Sequence, residues 1–117
     1  MELAKLDYPS GAPDDYLKEL FSHEGSNFHL QYGTAFLKKG VRTPFEGDWT
    51  KHDQSKIVCI LKGNVQLKLE AQNKGIVILK PGDLFKVDKF EGHAGEILED
   101  TQLIYVMYGK KGSLSEY

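Results

Sequence analysis

The chain holds a single cysteine, Cys59. A lone thiol excludes an intrachain disulfide framework. Its place inside the apolar run Ile57-Val58-Cys59-Ile60-Leu61 points to a buried structural thiol, because a nucleophilic cysteine needs an electropositive, partly open setting. Charge of one sign is lacking too: 15 basic residues stand against 17 acidic ones. That balance argues against a nucleic-acid partner and against a membrane-surface partner, both of which normally show as a basic patch or tail. No apolar run reaches the length of about 18 residues that a transmembrane helix needs. The start, Met1-Glu2-Leu3-Ala4-Lys5, has no signal-peptide pattern, so a cytoplasmic location is expected. There is no Gly-rich phosphate loop, no G-x-S-x-G, no CxxC and no H-E-x-x-H. Internal repeats and low-complexity tracts are also missing.

What is there is a succession of short apolar runs cut by turns. A length of 117 residues implies one domain, able to bury roughly two thirds of its unfolded surface. Residues 1–12 have no clear period and read as an arm. Pro13-Asp14-Asp15 looks like a helix start, with proline at a first-turn position and carboxylates where the macrodipole favours them. Tyr16, Leu17, Leu20 and Phe21 would form the stripe of a short helix ending near Gly25, with His23 as its C-terminal dipole partner. From Asn27 to Lys38 the period becomes two, which predicts a strand bent at Gly33.

The organising stretch is Lys56 to His93. Ile57–Leu61 and Val65–Leu69 read as strands on either side of a turn at Lys62-Gly63-Asn64. The run Ile76–Leu79, the turn Lys80-Pro81-Gly82-Asp83 and the run Leu84–Val87 follow. Strands around Glu96–Leu98 and Leu103–Tyr108 are expected beyond it, parted by a turn at Glu99-Asp100-Thr101. About seven or eight strands at 8–12-residue spacing argue an all-β sandwich or barrel. In Ile57–Leu61, Ile76–Leu79 and Leu103–Tyr108 both parities are apolar, so both faces need cover. A short helix is too small to supply it, and the chain is therefore predicted to form a homodimer.

Gly75, five residues, Pro81-Gly82-Asp83 and a histidine at 93 resemble the second conserved motif of the cupin superfamily, and the strand-to-glycine run Ile57 to Gly63 resembles the end of the first. The resemblance covers roughly residues 40 to 108. It implies a cupin-like double-stranded β-helix (jelly-roll) barrel at 26–109, behind an N-terminal arm and short helix at 1–25 and before a tail at 110–117. In the family's first motif, two histidines and a glutamate precede the turn glycine. Counted back from Gly63, the glutamate position holds Lys56, the second histidine position holds His52 and the first holds Thr50. Of the family's metal ligands, only His52 and His93 are then kept. The resemblance implies a divalent transition metal (Fe, Mn, Ni or Zn) as a cofactor, with Asp53, Asp48 or Glu46 as carboxylates near in sequence. A lysine ammonium aimed at the same cavity would repel such a cation.

The alternatives are these. His52 and His93 form a metal pair, or they are neutral donors lining a polar cavity. Lys56 binds an anion or acts as an acid/base inside the barrel with its pKa lowered by burial, or it lies on the rim in water. His29 shares a face with Gln31 that is expected to be wet, although it could point inward. Some of the aromatics Phe36, Phe45, Trp49, Phe85, Phe90 and Tyr105 would line a ligand cavity, Trp49 and Tyr105 foremost. The expected function is binding of a small polar or anionic molecule through Lys56, His52, His93, Trp49 and Tyr105, without metal. The alternatives are a metal-dependent oxygenase, isomerase or lyase using His52 and His93, and a structural or interaction module with a filled barrel.

Overall fold

The computed structural model describes residues 1–44, 49–70 and 75–110. Through them run β1 (Asp15–Glu24), β2 (Phe28–Leu37), β3 (Arg42–Thr43), β4 (Ser55–Leu69), β5 (Ile76–Leu79), β6 (Leu84–Val87) and β7 (His93–Lys110). Every pairing between them is antiparallel.

β4 and β7 organise the rest, paired from Ser55↔Tyr108 to Leu69↔His93. Their register slips between Ile60 and Val65, and there both strands pass from one sheet to the other. The first half of β4 and the second half of β7 belong to a sheet of order β1-β2-β7-β4-β6. Their other halves belong to β3-β7-β4-β5. The result is an all-β jelly roll.

The turns expected at Lys62-Gly63-Asn64 and at Glu99-Asp100-Thr101 are therefore bends within two continuous strands. Gly63 makes the bend possible: its φ is +95°, and a Cβ there would stand 2.5 Å from the Asp100 carbonyl oxygen. The slip also switches the parity of the inner face. Before it, Lys56, Val58 and Ile60 are buried; after it, Val65 and Leu67 are. With Ala35, Leu37, Leu79, Ile97, Leu103, Tyr105 and Met107 these apolar side chains form the core, each fully buried aliphatic worth roughly 1.5–3 kcal/mol.

The helix expected after Pro13 is instead strand β1, paired with β2 from Asp15↔Leu37 to Glu24↔His29. Tyr16, Lys18 and Leu20 are half-buried at period two. A bulge between Glu19 and Phe21 then brings Phe21 into the partly covered set as well. A two-residue period broken by one bulge imitates a helical stripe, and a short helix has no ladder of bonds to a neighbouring strand to hold it. His23 accordingly caps no helix; its ring lies 5.8 Å from that of Phe28. The arm ahead of β1 packs on the outer face through Tyr8, whose ring is 5.8 Å from Tyr16 and 5.4 Å from Phe36. The Tyr8 hydroxyl donates to the Ala12 carbonyl at 2.7 Å.

The turn at Lys80–Asp83 forms as expected. Gly82 has φ +93°, and the Asp83 carboxylate accepts from the Lys80 amide at 2.8 Å. Gly82 N–H donates to Ile60 O, and Ile60 N–H to Asp83 O, so the turn is docked on β4. On the outer face Ile57, Val106 and Tyr32 stand in one cross-strand row and Cys59, Ile104 and Thr34 in the next. No helix among the described residues is long and apolar enough to cross a membrane.

Candidate functional site

The site is built at the end of the sandwich where β4 begins and β7 begins. Lys56 is the second residue of β4, paired in register between Met107 and Val87. Strand parity turns its side chain to the inner face, in line with Val58 and Ile60, and it is only 3% exposed. The strand starts at Ser55, so Lys56 lies within the sheet and not on the rim. Burial among these apolar neighbours pulls its ammonium from 10.5 down to about 7.

His93 opens β7 opposite Leu69 and is 5% exposed. It is fixed by a bridge to Thr50: Thr50 N–H donates to His93 O at 2.7 Å and His93 N–H donates to Thr50 O at 3.0 Å. Thr50 fixes the segment leading to His52, and the His52 carbonyl accepts from Phe90 N–H at 2.6 Å. The two imidazoles thereby face each other with ring centroids 5.6 Å apart. Burial, then the charge of Lys56, hold both near a pKa of about 4, so both are neutral at pH 7. His93 Nδ1 stands 3.3 Å from the Glu91 carbonyl oxygen. In the tautomer that donates this bond, His93 Nε2 carries the free lone pair.

Between them lies a cavity of about 270 Å³ lined by Asp15, Val41, Arg42, Thr43, Pro44, Thr50, His52, Lys56 and His93. Below it, Lys56 and His93 also roof an apolar space of about 30 Å³ walled by core residues including Phe85. That lower space is the size of a single water molecule, so the barrel is filled beneath the lysine and open above it. His52 Nε2 and Thr50 Oγ1 are buried and have no hydrogen-bond partner among the described residues.

Lys56, His52 and His93 are thus brought together as the sequence implied. Trp49 and Tyr105 do not line the cavity. Trp49 is half-buried and precedes the lining residue Thr50 in the chain. Tyr105 is a core residue whose phenol lies over Gly33, where a Cβ would come within 2.3 Å of its oxygen. Burial raises the phenol's pKa, a hydrogen bond with Gln31 opposes the rise, and the charge of Glu19 adds to it. Phe36 packs with Tyr8 on the outer face and Phe90 is exposed, so neither reaches the cavity. Phe45, Glu46 and Asp48 lie outside the described residues. His29, expected in water, is turned inward and 5% exposed, with Nδ1 3.5 Å from the Glu24 carboxylate. Arg42 and Thr50 were not singled out by sequence as binding groups. Arg42 is the only arginine of the chain, and that rarity was the available signal.

A metal of the kind the resemblance implies needs at least a third protein ligand beside the two histidines. Among the described residues no group of three His, Cys, Asp or Glu side chains converges. The position that would hold a carboxylate in the family holds a cation-forming amine instead. The described residues do not fit a transition-metal centre.

No family model and no curated protein matches the chain. Its fold is nevertheless found among solved structures. KdgF from Halomonas sp. superposes with a TM-score of 0.65 over 88% of this chain and 87% of that one, at 19% identity. An RmlC-like cupin from Shewanella frigidimarina gives 0.66 over 95% and 96%, at 17% identity. DMSP lyase DddQ from Ruegeria pomeroyi gives 0.67 over 87% of this chain and 50% of that one, at 17% identity. The chain has the cupin fold, as the segment from Gly75 to His93 implied.

Proposed function

We propose that this protein binds a small organic anion, carrying at least one carboxylate, at the mouth of its barrel. The observation behind this reading is a buried lysine at the inner end of a cavity whose wall also presents two polar atoms without a hydrogen-bond partner among the described residues, His52 Nε2 and Thr50 Oγ1. Asp15 is the one carboxylate among the described lining residues, against Lys56 and Arg42 as cations. An anion entering this space restores the charge that burial removes from Lys56. Thr50 and the neutral imidazoles supply hydrogen bonds to its oxygens. At about 270 Å³ the space falls just below the range of roughly 300–1,000 Å³ typical of drug-sized ligands, which favours a compound of a few carbons.

The metal-dependent alternative, with His52 and His93 as ligands, has no third donor among the described residues, and the interaction-module alternative leaves the open mouth and the buried amine without a purpose. Thermal melting against a panel of short mono- and dicarboxylates tests the reading. Binding raises the melting temperature, and calorimetry in two buffers detects proton uptake by Lys56 at pH 8. If no carboxylate stabilises the protein, or if Lys56→Met leaves every shift intact, the reading is wrong.

We also propose a homodimer across the outer sheet face. Ile57, Cys59, Ile104 and Val106 are only half-covered there, and Tyr32 and Leu61 are exposed. An apolar face of this kind needs cover, and a second copy presenting the same face about a two-fold axis supplies it. Light scattering of Val106→Glu against the unaltered protein decides it: the variant should be monomeric, and an unchanged mass removes this face from consideration.

A further inference from the structure

The geometry of the mouth points to covalent chemistry: we propose that Lys56 is a nucleophile that forms an imine with the carbonyl of a small 2-oxo acid, with the His52–His93 pair carrying the protons. This rests on the reading of the mouth as a carboxylate site and names the substrate class. A nucleophilic lysine needs three things: an amine that is in part unprotonated, an approach for a carbonyl, and a neutral base beside it to move protons. All three meet here.

The amine is buried between Met107 and Val87, which leaves it about half unprotonated at pH 7. The cavity opens directly onto it. Two imidazoles line the same wall, and each is neutral at pH 7, so each is able to accept a proton and return it. His93 has its Nδ1 engaged at the Glu91 carbonyl, which leaves Nε2 as the acceptor. The rim supplies Arg42, a permanent cation, for the carboxylate next to the carbonyl. A 2-oxo acid is the smallest compound that presents both groups on adjacent carbons.

The step balances without a co-reactant. The Lys56 Nζ lone pair adds to the carbonyl carbon and the π pair moves to oxygen. One proton leaves Nζ for an imidazole and is delivered to that oxygen, giving a carbinolamine. The second Nζ proton then passes through the imidazole to the hydroxyl, which departs as water while the nitrogen lone pair forms the C=N bond. One amine and one carbonyl give one imine and one water, with no change of oxidation state. The imine, once protonated, withdraws electrons from the neighbouring carbon. The class of reaction that follows is loss and return of a proton there.

Trapping tests this. The protein is incubated with pyruvate and sodium borohydride, and intact-mass and peptide-mass spectra are recorded. The expected result is one reduced pyruvate adduct per chain, mapped to Lys56, formed at least about tenfold faster than at any surface lysine. Lys56→Met and Lys56→Arg should abolish it. His93→Asn should slow it about tenfold or more while leaving the adduct at Lys56. Propionate, which has the carboxylate but no carbonyl, should protect Lys56 from pyruvate. If pyruvate and propionate both stabilise the protein but no adduct forms at Lys56, the nucleophile is refuted and the carboxylate site stands. If neither binds and no adduct forms, both fall. Labelling spread over surface lysines without preference for Lys56 also overturns the proposal.

Discussion

Replacing Lys56 by methionine should make the protein more stable. The side chain is 3% exposed and lies in a ladder between Met107 and Val87, with Val58 beyond it on the same face. Methionine has nearly the same length and needs no hydration. A fall of the amine's pKa from 10.5 to about 7 measures what folding does to the charge. At about 1.4 kcal/mol per pH unit, holding this lysine in place at pH 7 costs about 4 kcal/mol. A hydrogen bond made by the amine offsets about 1 kcal/mol of any gain on its removal, so the net stabilisation at pH 7 should be about 2–4 kcal/mol. The sign with pH is fixed by the direction of the shift. A lysine whose folded pKa is depressed imposes its full penalty below pH 7, and the penalty is relieved as pH rises from 7 towards 10.5. The advantage of Lys56→Met should therefore be greatest at pH 6, nearly as large at pH 7, and shrink towards pH 10. Urea unfolding of both proteins at pH 6, 7, 8, 9 and 10, spanning that window, gives the difference directly, and other titrations cancel in it. A variant less stable than its parent at pH 7, or a difference that does not change with pH, would refute the argument that Lys56 is buried at the expense of stability.

Two further predictions concern the same end of the barrel and its floor. His93, with its pKa lowered from 6.5 to about 4, contributes stability that is complete above pH 6.5 and is lost as pH falls towards 4; the loss at pH 5 should be about 2 kcal/mol, with about 1 kcal/mol more from half-buried His52. Unfolding midpoints between pH 7 and 5 should thus fall less steeply in His93→Asn, and equal slopes would count against the buried neutral imidazole. Gly33→Ala places a methyl 2.2 Å from the Tyr105 ring, so it should destabilise by about 1–3 kcal/mol, and Tyr105→Leu in the same chain should recover part of that loss. Melting curves of the two single variants and the double variant test it: additive losses would mean that Gly33 and Tyr105 do not share this contact.

Much of this architecture is readable in the chain because its signals are local. The Pro81-Gly82-Asp83 turn carries its own geometry, and the strands around it alternate. The distance from Gly63 back to Lys56 and His52 is a count along one extended segment, so the convergence of Lys56 with His93 followed from knowing the fold. What was not readable depended on the third dimension. The Leu20 bulge turned a strand into an apparent helical stripe. Gly63 looked like a hairpin turn because a positive φ has the same sequence signature in a turn and in a bulge. His29 and Gln31 look like any polar residues of a half-wet strand; their inward aim is set by the pairing of β2 with β7. Tyr105 looked like a ligand contact because an aromatic with a hydroxyl suits either a pocket or a core. The empty side chain of Gly33 opposite it decides for the core.

The position of Lys56 carries the functional argument further than any motif. A β-sheet core with an aliphatic row Val58–Ile60 on one side and Met107 as cross-strand neighbour would be served best by another aliphatic side chain. A lysine there weakens the sheet and, with two neutral imidazoles beside it, makes a transition-metal centre harder to assemble. Each of those costs becomes an asset once the ligand is an anion with a carbonyl. Burial that destabilises the ammonium frees the amine's lone pair, and the same burial keeps the imidazoles unprotonated as proton carriers. Among the described residues the barrel is filled beneath the amine and open toward the mouth. A buried polar group at the closed end of an open cavity is where stability yields to chemistry in a folded protein, and the stability gain expected of Lys56→Met and the adduct expected on Lys56 would be two readings of one physical cause.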